Sequence, residues 1–305
     1  MTAPSEKNGA GPFHLRLPAT SANLGPGFDA LGLAMALYLT IDATPADVFY
    51  IEATGRSPDL CGRLEDNLIL TTYIDVLALV GQHATPLHLQ LHNEIPLGMG
   101  CGSSAAALLA GVLLADHFGN LGWSSQQILE EACRREGHPD NVAACYLGGM
   151  TSSAISEEGL FTATCGENLN WSLWLALPSA SLATEKARAL LPATYSREDA
   201  VANIQSTALL VAAFTQGRGD LLRTAMRDRL HQPYRMEACP LLSRLLPLAG
   251  TPGVLGVALS GAGPSVLLIA EKTSDANLPE LIRRTADGFS IELIHTTIAV
   301  GPSWS

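Results

Sequence analysis

Three glycines at every second position, Gly98, Gly100 and Gly102, stand in Pro96-Leu97-Gly98-Met99-Gly100-Cys101-Gly102-Ser103-Ser104-Ala105-Ala106. The stretch runs directly into an Ala/Leu-rich segment, Ser103 to Phe118, closed by Gly119. Alternating glycines leave few backbone choices except a tight turn, and the segment behind them predicts a helix that begins at the turn. Such a junction is suited to an anion. Glycine lets the backbone approach a ligand without a Cβ clash, the first helical amides have no partner in the helix, and the helix dipole adds a positive field. Neither familiar phosphate pattern fits. The P-loop requires Lys after its last glycine, where Ser103 stands, and the dinucleotide pattern requires a third glycine at a spacing that is missing. Taken alone the stretch is equally a tight turn capped by serine.

Of the 305 residues, 47% are hydrophobic and 15% charged, which describes a globular chain able to bury a sizeable core in one large or two ordinary domains. The net charge of −11, from 18 basic and 29 acidic residues with no basic run, argues against a nucleic-acid or anionic-membrane surface and for a small partner. Cys61, Cys101, Cys133, Cys145, Cys165 and Cys239 form no CxxC pair, so neither a disulfide framework nor a zinc site is expected, and reduced thiols in a cytoplasm are the plain reading. The start, residues 1–12, is polar and glycine-bearing and reads as a disordered, untargeted terminus; no apolar run reaches the length of a membrane span.

Along the chain, Phe13 to Pro18 alternates as a strand and leads into Ala19-Thr20-Ser21-Ala22-Asn23-Leu24-Gly25-Pro26-Gly27-Phe28-Asp29, small residues that read as a loop with Asn23 and Asp29 as its polar occupants. Leu31–Leu39 and Val48–Ala53 read as strands, Asp66 as the cap of a helix through Val80, and 86–93 as a strand with His88, Gln90 and His92 on its solvated face. Ser124 with Gln127 predicts a capping box for a helix ending near Gly137. A polar knot follows, Glu136-Gly137-His138-Pro139-Asp140-Asn141-Val142, in which Asp140 or Asn141 suits the cap of the next helix. Trp171–Leu177 reads as a strand, Thr184-Glu185-Lys186-Ala187-Arg188 as a helix start, and Ser196–Gln216 as a long helix. A further helix from Asp220 reaches Arg227-Asp228-Arg229-Leu230-His231-Gln232-Pro233-Tyr234-Arg235, whose arginines suit a solvated face. Strands Val254–Leu259 and Val266–Ala270 flank a second glycine turn, Ser260-Gly261-Ala262-Gly263-Pro264-Ser265; a helix over Asn277–Gly288 and a strand over Ile291–Val300 close the chain. A β-rich mixed half and an α/β half divide near Ile155–Asn170.

Two glycine turns, a carboxylate-rich knot and exposed arginines in one acidic chain fit phosphoryl transfer to a small anionic or zwitterionic acceptor, chemistry that asks mainly for positioning and charge neutralisation. Magnesium would suit hydroxyl and carboxylate oxygens such as Ser103, Ser104 and Glu136, and two arginines could clasp a carboxylate bidentately. At these residues the chain resembles the GHMP small-molecule kinases, and among them the branch that phosphorylates homoserine. The glycine-serine stretch is similar to the superfamily's nucleotide loop, with Cys101 where leucine is usual. More specific are the Pro18–Asp29, Glu136–Ala143, Asp228–Arg235 and Ser260–Ser265 stretches, which follow in the family's order over residues 18–265.

The resemblance implies an α/β (α+β) fold: an N-terminal nucleotide-binding domain over 13–165, similar to ribosomal-protein domains with a left-handed βαβ crossover, and a ferredoxin-like C-terminal domain over 166–305. It implies ATP on the Pro96–Ala106 loop, magnesium held by Glu136 with Ser103 or Ser104, and an L-homoserine pocket lined by Asn23, Asp29, His138 and Asp140. It further implies Arg188 and Arg235 facing the substrate carboxylate, and the loop at Gly261 closing over the site. Members are commonly homodimers. Several relatives use an aspartate as general base where this chain has Asn141, and asparagine accepts no proton usefully. The reading that follows is a mechanism without a side-chain base, in which Asn141 orients the acceptor hydroxyl; Asp140 and Asp29 stay open as bases. Cys101 in the nucleotide loop is expected to repack, and Ala183 stands where members often carry serine. A kinase of another small alcohol, and a sensor that binds nucleotide without chemistry, are the rival readings; the presence of Glu136 and both serines speaks against the second.

Overall fold

The structure is a computed structural model and describes residues 11–180 and 184–305. Residues 1–10 of the expected disordered start, and Ala183, lie outside it. The first alternating pattern forms β1 (Phe13–Asn23), with Leu15 and Leu17 fully buried, and a turn at Leu24–Pro26 returns the chain as β2 (Gly27–Pro45). The segment expected as a loop, 19–29, is therefore mostly hairpin. Its Ala, Ser and Thr residues are small because both faces of this strand end are covered: Thr20 and Ser21 are fully buried, and the Gly261 amide reaches the Ala22 carbonyl at 3.1 Å. Smallness here reflects close packing and not turn chemistry.

The chain continues as β3 (Tyr50–Gly55), α1 (Pro58–Cys61), α2 (Leu68–Leu79) and β4 (Leu87–Asn93). The cap of α2 is Asn67, whose side chain accepts from the Ile69 and Leu70 amides; the expected cap, Asp66, lies one residue early with φ 56°. On β4, Leu87, Leu89 and Leu91 are buried as the alternation predicts. Then come α3 (Ser103–Gly119), α4 (Ser125–Glu136) with its capping box at Ser124 and Gln127, and α5 (Pro139–Leu147). The cap position of α5 belongs to His138, so Asp140 and Asn141 sit inside its first turn and not at its cap. A hairpin, β5 (Met150–Ser156) and β6 (Gly159–Cys165), completes the first half.

The second half holds β7 (Trp171–Pro178), α6 (Thr184–Ala189), α7 (Arg197–Gln216, capped by Ser196), α8 (Leu222–Ala225), α9 (Gln232–Arg235), α10 (Pro240–Leu245), β8 (Val254–Leu259), β9 (Val266–Glu271), α11 (Leu278–Thr285), β10 (Ile291–Thr297) and β11 (Ser303–Trp304). The expected continuous helix from Asp220 is broken into α8 and α9. Asp228 causes the break: its carboxylate accepts from the Leu230, His231 and Gln232 amides and starts a new turn.

Two sheets result. The first has seven strands, with the path β11-β1-β2-β4-β3 and the β5–β6 hairpin on β2; β3 and β4 are parallel and joined through α1 and α2. The second has four antiparallel strands in the order β10-β7-β9-β8, a ferredoxin-like arrangement. The sheets change over between Cys165 and Trp171, while β11 returns to pair with β1. α3 packs among α2, α4 and α5, with ten residues from Ala105 to Ala115 buried. A second core under α10 and α11 gathers Trp174, Leu242, Leu268 and Ile282. The glycine loop ahead of α3 thus stands where the two sheets meet.

Candidate active site

Gly98, Gly100 and Gly102 all have φ between 67° and 74°, the left-handed region that favours glycine. Two of these positions are also too close to neighbours for a side chain. A Cβ on Gly100 would stand 2.1 Å from the Ser260 carbonyl oxygen, and one on Gly102 would stand 1.8 Å from Thr20 Oγ1. The loop is pinned by the Thr20 amide on the Cys101 carbonyl (3.0 Å) and by Ser260 Oγ, which donates to the Gly100 carbonyl at 2.7 Å. Cys101 is buried, as expected of a repacked residue, and burial pushes its thiol up to about 12. No side chain caps α3 at Gly102, so its first amides remain available to an anion.

Glu136 ends α4 beside this helix terminus. Its carboxylate accepts from Ser104 Oγ at 2.7 Å. Burial raises its pKa against that hydrogen bond and the nearby His138. His138 Nδ1 lies 2.6 Å from Asp140 Oδ1, and the Asn141 amide donates to the same oxygen at 2.7 Å. Burial disfavours the imidazolium, but the hydrogen bond and charge of Asp140, with Glu136 behind it, outweigh burial and raise the His138 pKa. The Asn141 side chain is held in turn by Thr20, whose hydroxyl donates to Asn141 Oδ1 at 2.8 Å.

Across the cleft, Arg188 on α6 makes a bidentate pair with Asp29, at 2.7 and 3.0 Å, which holds its pKa above the ordinary value. Asn23 orders this end of the hairpin: its Nδ2 donates to the Gly261 carbonyl and its Oδ1 accepts the Asp29 amide, both at 3.0 Å. Arg235 corrects the expectation of a solvated arginine. It is only 1% exposed, with Nε on the Ala187 carbonyl (3.2 Å) and Nη1 near His231 Nδ1 (3.1 Å), while Arg227 and Arg229 are exposed. Burial and the like charge of Arg188 lower its pKa. Burial likewise lowers that of His231, whose Nε2 lies 2.7 Å from the Gly25 carbonyl.

Asn23, Asp29, Gly98, Gly100 to Ser104, Glu136, His138, Asp140, Asn141, Arg188, Arg235 and Gly261 all line one cleft of about 360 Å³. Of the other residues in the glycine stretch, Pro96, Leu97 and Met99 face a neighbouring recess, and Ala105 and Ala106 are buried in the core. Sequence reasoning missed Thr20 and Phe28; both guanidinium carbons, of Arg188 and Arg235, lie 5.5 Å from the Phe28 ring centre. It also missed a mostly apolar recess of about 310 Å³, lined by Leu60, Asn67, Leu68, Leu91 and Asn93, which shares Ser103 and Ser104 with the cleft. Its walls come from β2, α1, α2, β4 and α3, and no local signal joins them.

Comparison with known proteins agrees with this geometry. Residues 67–149 match the GHMP kinases N terminal domain, and residues 210–280 match GHMP kinases C terminal. The chain is 48% identical over 291 residues to the homoserine kinase of Solibacter usitatus, covering 94% of each protein, and 41% identical over 258 residues to that of Deinococcus radiodurans, covering 85% of this chain and 84% of the other. Its fold is similar to that of the homoserine kinase from Cytophaga hutchinsonii, with a TM-score of 0.81 at 24% identity and full coverage of both chains. On the shared sequence, fold and site, the chain belongs to the homoserine kinase family of the GHMP kinases.

Proposed function

We propose that this chain transfers the γ-phosphoryl group of ATP to the side-chain hydroxyl of L-homoserine, giving O-phospho-L-homoserine for threonine biosynthesis. One observation carries the reading: a single cleft joins the bare N-terminus of α3, fit for phosphates, to opposed acidic and basic side chains, fit for a zwitterion. In this reading the apolar recess beside Ser103 takes the base of ATP, and the glycine loop takes its phosphates. Asp29 and Asp140 face the substrate ammonium, and Arg188 and Arg235 its carboxylate.

The oxygen donors at the head of α3 fit magnesium. Ser104 and Glu136 are already in contact, and Glu136 is a half-buried carboxyl that a neighbouring cation would hold ionised; Ser103 adds a third donor. Bound there with ATP, the ion would neutralise phosphate charge. The chain's own residues do the rest. Asn141 orients the acceptor hydroxyl, and the proton leaves late, to a phosphate oxygen or water, as a loose transition state allows. Asp140 and Asp29 fit binding roles better than that of a base, because one is committed to His138 and the Asn141 amide and the other to Arg188. The same reading makes the enzyme a cytoplasmic homodimer.

The test is coupled ADP release with magnesium and ATP, run in parallel on L-homoserine, mevalonate, shikimate and no acceptor. Turnover selective for L-homoserine is expected. Selectivity for another alcohol overturns the substrate, and silence on every acceptor from folded, ATP-binding protein overturns the activity.

A further inference from the structure

Thr20 lies between the two halves of the cleft and belongs to neither in the reading above. It is fully buried on β1, its amide holds the Cys101 carbonyl, and its hydroxyl occupies the space that a side chain at residue 102 would need. That hydroxyl donates to Asn141 Oδ1 at 2.8 Å. Hydrogen bonding at Oδ1 decides which way the amide faces. With Oδ1 turned to Thr20, the Nδ2 donor is the part of the side chain left for the cleft that Asn141 lines. A donor directed at the acceptor oxygen leaves the hydroxyl proton pointing elsewhere and a lone pair free for attack; the flipped amide would accept that proton and tie up the hydroxyl in the wrong orientation.

We infer that Thr20 is a positioning residue for phosphoryl transfer: it fixes the Asn141 amide with its NH2 toward the acceptor hydroxyl and keeps that amide in register with the glycine loop. This rests on the proposed kinase reading. The geometry gives the threonine hydroxyl a reason to be present that packing alone does not, since valine would fill the same volume. It also gives a reason for glycine at 102, where any side chain would displace the hydroxyl from Asn141.

The test compares Thr20→Val, which keeps the shape and removes the donor, with Thr20→Ser, which keeps the donor. Thr20→Val is expected to lower kcat about 30-fold while the KM values for L-homoserine and ATP move less than about threefold, and Thr20→Ser to recover kcat to within about threefold. In an Asn141→Ala background, Thr20→Val is expected to have no more than about a twofold effect, because the residue acts through Asn141. A Thr20→Val kcat within threefold of the parent overturns the inference. So does failure of Thr20→Ser to recover kcat, or a full effect persisting without Asn141. A second readout needs no turnover: the Asn141 side-chain NH2 resonances, assigned by their loss in Asn141→Ala, should shift and broaden in Thr20→Val and stay in place in Thr20→Ser. Unmoved resonances in Thr20→Val sink the positioning role even if the acceptor proves not to be homoserine. Should Thr20→Val fail to fold, Thr20→Ala takes its place with the same expectations.

Discussion

The two sides of the cleft are built from different material. The phosphate side is backbone: three left-handed glycines and the bare head of α3, with Ser104 and Glu136 as its side-chain contribution. The acceptor side is side chains from four places, the β1–β2 hairpin, α5, α6 and α9: Arg188 is paired with Asp29 and His138 with Asp140, while Arg235 rests on backbone carbonyls and the ring of His231. A backbone cradle recognises what every nucleotide shares and tolerates no added atoms. A side-chain cage recognises one arrangement of charges and can be edited residue by residue. Substitutions should therefore act differently on the two sides.

Gly102→Ala should have the largest effect. The new Cβ would meet Thr20 Oγ1 in a conformation that L-residues rarely adopt. Activity should fall by more than about a hundredfold and stability by about 2 kcal/mol. Near-parental kcat in the ADP assay would break the idea of a backbone cradle. Arg235→Ala comes next, and should raise KM for L-homoserine about a hundredfold while KM for ATP moves little. Equal effects on both substrates would remove its assignment to the carboxylate.

Arg188→Met sharpens the contrast between the two arginines. The Arg188–Asp29 pair is more than a third exposed on each side, so solvent screens it, and thermal unfolding should register a loss under about 1 kcal/mol. KM for L-homoserine should nevertheless rise about tenfold, since both members of the pair line the cleft. A stability loss as large as that of a core substitution would mean that this arginine serves the fold and not the ligand.

The smallest effect expected is one of pH. The folded-state pKa of His138 is raised, so the stability it contributes is full below the ordinary imidazole value of about 6.5 and is lost as pH rises through the raised one. Glu136, also raised, adds loss in the same direction, from above the usual carboxylate range upward. Melting temperature should fall by about 2 °C between pH 6 and pH 8, and His138→Gln should flatten the slope. An unchanged slope in that variant would detach His138 from the acidic group around Asp140.

Much of this was present in local sequence. The alternation of Leu87, Leu89 and Leu91, the Ser124 and Gln127 capping box, and the glycine spacing before α3 each report a local rule of period, cap or turn, and each forms where the rule places it. The polar residues of the knot were legible as a group, because Glu136, His138, Asp140 and Asn141 crowd into one short junction between two helices, although a helix cap explained part of it equally well. What the sequence could not convey was which faces would be covered. Residues 19–23 read as loop because small residues favour turns, yet they are strand because the Ser260 turn lies against them. Arg235 read as solvated because arginines at helix ends usually are, yet Ala187 and His231 enclose it. Thr20 stood inside the Pro18–Asp29 stretch with nothing to single it out, since its partner lies 121 residues away. By itself the sequence determined the periods, the caps and the chemical types present. Only the tertiary structure decided which groups meet, because burial and pairing depend on segments far apart in the chain that local rules never see.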